Sequence, residues 1–351
     1  MDTDDPRETP LSPPESASLD APPTLYGKCR VSVLGWDSDN EEEARTFAHG
    51  VLDLTRAISK FLDLSRLEAI ELATDYHGAL ANLERGQISA VATPTSNEYG
   101  QGGAMAVCVV RDDEPWNVVV IWMPLVRQLL NMEHEHHKLA LHTFFHELVH
   151  VDDLKHFSGT FPGGWKAATP RDARERALIA LVNPCQSEYS ASRRSASIVP
   201  AYGLGYLEML AEALTGVDRQ ITEARQSYRL HGDMDVLWTI VEERLTFLFQ
   251  SLGYALGHLD WALNCEELEP DLRRQYEAKL EEASKLPSGW IVEDARDAVH
   301  DIFRQGDWTS FDVFMRLTAV AEKMLNQFGI YTSVKDECLY VDIPIDHAWQ
   351  F

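Results

Sequence analysis

Residues 139–156 contain the sequence feature that most constrains the fold, a pair of histidines one helical turn apart. His146 and His150 are separated by four positions, and apolar residues occupy most of the segment around them. Residues four apart on a helix share a face, so both imidazoles can bind one zinc ion. The apolar surroundings predict a buried helix, where unpaired polar side chains would be costly and a metal would satisfy them.

Glu147 directly follows the first histidine and completes the pattern His-Glu-Leu-Val-His. Zinc lowers the pKa of a bound water, and a carboxylate within hydrogen-bond reach can take its proton and return it to a leaving amine. The pattern therefore predicts a hydrolytic metal centre in which Glu147 is the general base.

A catalytic zinc ion takes three protein ligands and leaves one position open, so the two histidines need a third group. One candidate is His156, although six residues of continuous helix rotate it by a net angle of about 240° from His150. The other candidate is Glu188, at the start of a helix that we predict over residues 186–193. Helix geometry disfavours His156, and the residues alone do not identify the ligand further.

Charge and composition exclude several classes of protein. The 351 residues carry a formal net charge of −25, which argues against nucleic-acid and anionic-membrane partners because both require basic surface. The sequence has neither a signal-peptide pattern nor a run of about 18 apolar residues, and we therefore expect neither secretion nor a membrane span. Five dispersed cysteines without a CxxC pair argue against disulfides and thiolate zinc sites, so we expect a cytoplasmic protein.

Three regions are predicted along the chain. Residues 1–24 are acidic and rich in proline and serine, and we expect a disordered tail. Residues 25–200 alternate strand and helix patterns and include the histidine pair, whereas residues 201–351 are mostly helical. The predicted fold class is therefore α+β. The helical region is either a second subdomain that closes the site or a bundle that binds a partner.

Individual elements are predicted from hydrophobic periodicity and turn residues. Strands are expected at residues 30–36, 67–73, 88–91, 104–111 and 117–122, of which the last two form a hairpin. A helix that starts near Asp172 is expected to end at Asn183-Pro184, because proline disrupts helical hydrogen bonding. Later helices are expected at residues 207–228, 234–264, 268–285, 290–303 and 311–328, followed by a strand at 339–343.

Residues 28–195 resemble the zincin metallopeptidases, because they combine the HELVH motif with this order of strands and helices. The resemblance implies a mixed sheet over the HExxH helix, with an edge strand that binds extended substrate backbone. Ser187–Arg193 looks like the third-ligand helix of gluzincins and is similar to the glutamate helix of ImmA/IrrE-like metallopeptidases. This implies Glu188 as the third zinc ligand, although Ser192 stands where thermolysin-type enzymes have an acid. His156 has the metzincin spacing, but Asp153 replaces the glycine at which metzincins turn.

The expected function is zinc-dependent peptide-bond hydrolysis by a metalloendopeptidase. One catalytic Zn²⁺ would bind His146, His150 and Glu188, with Glu147 as the catalytic residue and a peptide or protein as the partner. Two alternatives stay open: a zincin-fold binding or regulatory module with little or no turnover, and a zinc hydrolase that acts on a non-peptide bond. The intact Glu147 argues against the binding module. The sequence does not determine cleavage specificity or oligomeric state.

Overall fold

A computed structural model describes residues 21–36, 41–94, 96–98, 100–161, 164, 168–305 and 308–344, without the side chains of residues 96, 97, 100, 156, 157 and 160. The predicted tail over residues 1–24 therefore lies outside the described residues except for 21–24. In chain order the elements are β1 (Arg30–Leu34), α1 (Glu41–Ile58), β2 (Leu67–Ala73), α2 (Tyr76–Asn82), β3 (Ser96–Asn97), β4 (Gly100–Gln101), β5 (Ala104–Arg111), β6 (Glu114–Trp122), α3 (Met123–Val126) and α4 (His137–Thr160). They are followed by α5 (Ala173–Ser195), α6 (Tyr202–His231), α7 (Met234–Asn264), α8 (Pro270–Ser284), α9 (Trp290–Gln305), α10 (Met315–Gln327), β7 (Tyr331–Lys335) and β8 (Cys338–Asp342).

The chain combines helices with a small mixed sheet, which agrees with the predicted α+β class. It divides into two compact units. The first comprises the described residues within 1–94, 103–155 and 263–267, and the second comprises those within 95–102, 156–262 and 268–351. Among the described residues, no helix combines the length and the apolar character that a membrane span requires.

The first unit is built on a four-stranded sheet in the order β1-β2-β6-β5. The strands β1, β2 and β6 are parallel, and β5 pairs with β6 in the antiparallel sense. Ile70, Leu72, Val119 and Ile121 are fully buried because β2 and β6 occupy the centre of the sheet. The hairpin predicted from the sequence is confirmed, and its first strand, β5, is at an edge of the sheet.

The hairpin is closed by Asp112 and Asp113, whose φ angles are 48° and 66°. Two successive residues with positive φ form the turn whose twist matches that of the flanking strands, and aspartate tolerates this conformation better than most residues. The register that results pairs Arg111 with Glu114 and Ala104 with Ile121.

One face of the sheet is covered by α2. Tyr76 and Leu80 are buried against Val107, Val109 and Val120 of the hairpin strands. Asp75 caps the helix, because its side chain accepts a hydrogen bond from the Gly78 amide at 2.9 Å. This cap fixes Tyr76 at the first position of the helix.

Long helices dominate the second unit. The prediction of a helix over Met234–Asn264 is confirmed by α7, whose Leu245, Leu248, Leu252 and Leu256 are fully buried. The strands β7 and β8 form a separate antiparallel hairpin. The predicted strand at residues 339–343 corresponds to β8, which begins and ends one residue earlier. The strand β7 was not predicted.

The predicted helix break at Asn183-Pro184 is wrong, since α5 continues from Ala173 to Ser195 through Pro184. Proline removes one backbone donor there, but Val182, Cys185 and Tyr189 on either side are fully buried. Burial of these side chains outweighs the local preference, so the helix persists. Residues 88–91 are not a strand, contrary to the sequence prediction.

Candidate metal centre

The histidine pair lies on α4, which begins at His137 and is most buried around the motif. Phe144, Leu148 and Val149 are fully buried, and His146 and Glu147 are buried among them. Polar side chains that are buried among apolar residues need partners. The sequence prediction that the motif lies on a buried helix is confirmed.

The two imidazoles of the motif point at a common position. The Nε2 atoms of His146 and His150 are 3.2 Å apart, and the ring centroids are 4.9 Å apart. Two nitrogens bound to one tetrahedral zinc ion at about 2.0–2.1 Å would be separated by roughly 3.3–3.4 Å. The helix therefore presents these nitrogens at nearly the spacing that a shared metal requires.

Glu188 of α5 completes a group of three possible ligands. One ligand atom each from His146, His150 and Glu188 lies within 4.8 Å of the others. His146 is buried, while His150 and Glu188 are half-buried. This group could hold a metal ion. Two imidazoles and one carboxylate suit zinc, and they also accept other divalent transition metals.

The alternative ligand, His156, lies within α4, which continues as a helix to Thr160. The backbone is therefore helical at Asp153 and makes no metzincin-like turn there. The rotation of His156 by a net angle of about 240° from His150 applies, because it assumes a continuous helix. The side chain of His156 lies outside the described residues. Among the described side chains, His146, His150 and Glu188 are therefore the candidate ligand set.

Glu147 lies close enough to Tyr76 of α2 for their charges to matter. Burial raises the pKa of Tyr76, and the negative charge of Glu147 raises that pKa further. The phenol therefore keeps its proton at neutral pH. No sequence pattern predicts this proximity, because the two residues are distant in the chain.

His142 lies one turn before His146 on the same helix, with its ring centroid 6.2 Å from that of His146. Burial lowers the pKa of His142 to about 3, and the neighbouring His146 contributes to the shift. His142 is therefore neutral at physiological pH. This environment is that of a core histidine, and His142 is not a member of the group of three.

The far end of α4 is tied to the loop that follows α1. Asp152 accepts a hydrogen bond from the Asp63 amide at 2.7 Å, and Lys155 forms an ion pair with the Asp63 carboxylate. These two contacts with Asp63 hold the helix against this loop.

Gln250 of α7 is a site residue that sequence reasoning missed. Its side-chain amide donates a hydrogen bond to Oε1 of Glu188 at 3.1 Å. No local motif marks a glutamine that contacts a residue on another helix. The spacing of Gly253 and Gly257 on α7 was visible in the sequence, and it could have indicated a close helix packing nearby.

The comparisons with known proteins add no relative to this picture. No family model, curated protein or solved structure matches the chain.

Proposed function

We propose that this protein is a zinc-dependent metalloendopeptidase of the zincin class, with a gluzincin-like ligand set. The proposal is carried by the group of His146, His150 and Glu188, in which the two imidazole nitrogens are 3.2 Å apart and the carboxylate is within 4.8 Å. His146 and His150 would bind the metal through Nε2 and Glu188 through a carboxylate oxygen. When bound, zinc supplies Lewis acidity, which polarises a carbonyl and acidifies a water molecule.

Glu147 is the proposed general base. It is adjacent to a ligand in the chain, and its side chain is buried, which strengthens its interactions with nearby charges. Its carboxylate would take the proton of the attacking water and deliver it to the nitrogen of the departing amine. The first transfer requires the ionised carboxylate and the second the protonated carboxyl, each within hydrogen-bond distance of the reacting atoms.

The proposed substrate is an extended peptide. The strand β5 is at the end of the sheet order, and Arg85 already accepts a hydrogen bond from the Val110 amide and donates one to the Cys108 carbonyl on its outer side. The part of this edge that precedes Cys108 is therefore proposed for the substrate. An extended chain can add to such an edge by main-chain hydrogen bonds, which hold the backbone without a requirement for particular side chains. The motif helix up to Lys155 belongs to the same compact unit as this strand.

The proposal is tested with zinc-loaded protein and an unfolded protein substrate such as fluorescent casein. Glu147→Gln should retain zinc while hydrolysis falls by on the order of a hundredfold or more, because the base is lost and no ligand is. The exposed Glu41→Gln, which removes the carboxylate partner of Arg45, is the matched control and should keep full activity.

Two results would contradict the proposal. If Glu147→Gln is as active as wild type, Glu147 is not the base. If the zinc-loaded wild type cleaves no peptide bond, the endopeptidase assignment fails. A binding module or a hydrolase of non-peptide bonds would then explain the metal group.

A further inference from the structure

We infer that Gln250 is a positioning residue that holds the carboxylate of Glu188 in the orientation required for metal binding. The inference rests on the proposed metal site and adds to it a residue that is not one of the three candidate ligands. It is carried by the hydrogen bond between the two side chains and by the way α7 packs against α5.

The donor and the acceptor of this hydrogen bond can be assigned. A carboxylate only accepts hydrogen bonds, so the group that Gln250 turns toward Glu188 is its NH₂. The Nε2 atom is 3.1 Å from Oε1 of Glu188 and 3.4 Å from the hydroxyl oxygen of Tyr254. An amide has two hydrogens, so both contacts can form together. The donor is thereby directed by two acceptors.

This bond restricts the freedom of a long side chain. A glutamate side chain loses rotamer entropy when it is fixed in one conformation. The hydrogen bond at Oε1 restricts the orientation of the Glu188 carboxylate before a metal arrives. Partners of this kind orient ligands, and their removal typically lowers metal affinity by about 10- to 100-fold.

The backbone that carries Gln250 is itself held against the turn of α5 that carries Glu188. A Cβ atom built on Gly253 would lie 2.5 Å from the carbonyl oxygen of Cys185 and 2.8 Å from Cβ of Glu188. Such distances allow no side chain at this position. Gln250 and Gly253 are three residues apart and share a helix face. The donor therefore projects from a rigid element in direct contact with the ligand's own helical turn.

The test measures zinc affinity in the full-length protein by competition with a chelator. Gln250→Met keeps an unbranched side chain of similar length but removes the donor, and it should weaken zinc binding by about 10- to 100-fold. Gln220→Met is the matched control, because Gln220 also donates its amide to a glutamate, Glu98, away from the metal group. Its zinc affinity should equal that of wild type.

A double-mutant cycle separates a positioning role from a general structural one. In the Glu188→Ala background, Gln250→Met should cause no further loss of zinc affinity, because the group that it positions is gone. An equal fold-loss in both backgrounds would show that Gln250 acts by another route, and it would overturn the inference. If Gln250→Met does not fold, as judged by circular dichroism, Gln250→Leu replaces it in the same cycle.

The outcomes distinguish this inference from the proposed function. Zinc bound equally tightly by wild type and Gln250→Met overturns the positioning role and leaves the endopeptidase proposal intact. A loss of affinity that appears only when Glu188 is present supports the positioning role, whether or not the protein cleaves peptides. A wild-type protein that binds no zinc overturns both.

Discussion

Gly257 of α7 lies so close to α5 that a Cβ atom built on it would be 2.6 Å from the carbonyl oxygen of Tyr189. The same atom would lie 2.8 Å from the backbone nitrogen of Arg193. Backbone atoms cannot rotate out of the way as the end of a side chain can. The close packing of these two helices therefore depends on the absence of a side chain at this position.

Gly257→Ala should destabilise the protein by about 1–3 kcal/mol, because the added methyl group forces α5 and α7 apart. The control is Gly205→Ala on α6, where a Cβ would meet no atom within 4 Å. That substitution should be neutral or stabilising, since alanine is favoured over glycine in helices by about 1 kcal/mol. Denaturant unfolding of both variants measures the difference, and equal midpoints would contradict the packing argument.

Glu188→Ala should weaken zinc binding strongly, whereas His156→Ala should leave zinc binding near the wild-type level. The reason is that Glu188 belongs to the group of possible ligands, while α4 runs through residue 156 without the turn that a metzincin-like ligand needs. His146→Ala and His150→Ala should abolish stoichiometric zinc, because each removes one of three ligands. Metal analysis after dialysis provides the measurement. Loss of zinc in His156→Ala with retention in Glu188→Ala would reverse the assignment.

Asp260→Ala should be one of the most destabilising substitutions on α7. The buried Asp260 carboxylate accepts a hydrogen bond from Arg296 Nε at 2.6 Å and another from the Tyr189 hydroxyl, and it lies 3.6 Å from Arg193. Removal of one partner from a buried ionic group costs about 3–5 kcal/mol, because the remaining charges lose their compensation.

Asp294→Ala is the control for that substitution. Asp294 pairs with Lys323 at 2.6 Å on the exposed side of α9, where an ion pair contributes about 1 kcal/mol or less. Thermal and denaturant unfolding of the two variants should differ clearly. Comparable losses of stability would mean that the Asp260 group contributes no more than a surface pair.

Glu98 should make a pH-dependent contribution to stability. Hydrogen bonding to Arg244, at 2.7 Å and 2.8 Å from the two carboxylate oxygens, is the largest cause that lowers the pKa of Glu98 from 4.5 to about 2. A carboxyl with a lowered folded-state pKa stabilises the protein above pH 4.5, and the contribution is lost as the pH falls toward 2.

The thermal midpoint of Glu98→Gln should therefore lie below that of wild type at pH 7 by on the order of 1–3 °C, because the pair is solvent-exposed. This gap should narrow between pH 4.5 and pH 3. A gap that stays constant over this pH range would show that it does not arise from the ionisation of Glu98.

Several features followed from the sequence because they depend on interactions between near neighbours. The four-residue spacing of His146 and His150 fixes their common face as soon as a helix forms, and the 3.2 Å separation of their nitrogens agrees with it. The β5–β6 hairpin, β2 and α7 were likewise predicted from alternation, helical periodicity and turn residues. In each case the pattern and the element occupy the same short stretch of chain.

Other features were decided only by tertiary structure. Pro184 predicts a helix end when it is considered alone, yet buried neighbours on both sides keep α5 continuous. The sequence could name Glu188 as a ligand only through a resemblance, because its proximity to the histidines depends on packing between distant segments. The contact of Gln250 with Glu188 was invisible for the same reason, since it joins side chains from two helices. The local sequence determines on which face of a helix or strand a residue lies. Only the packing of the whole chain determines which residues that face contacts.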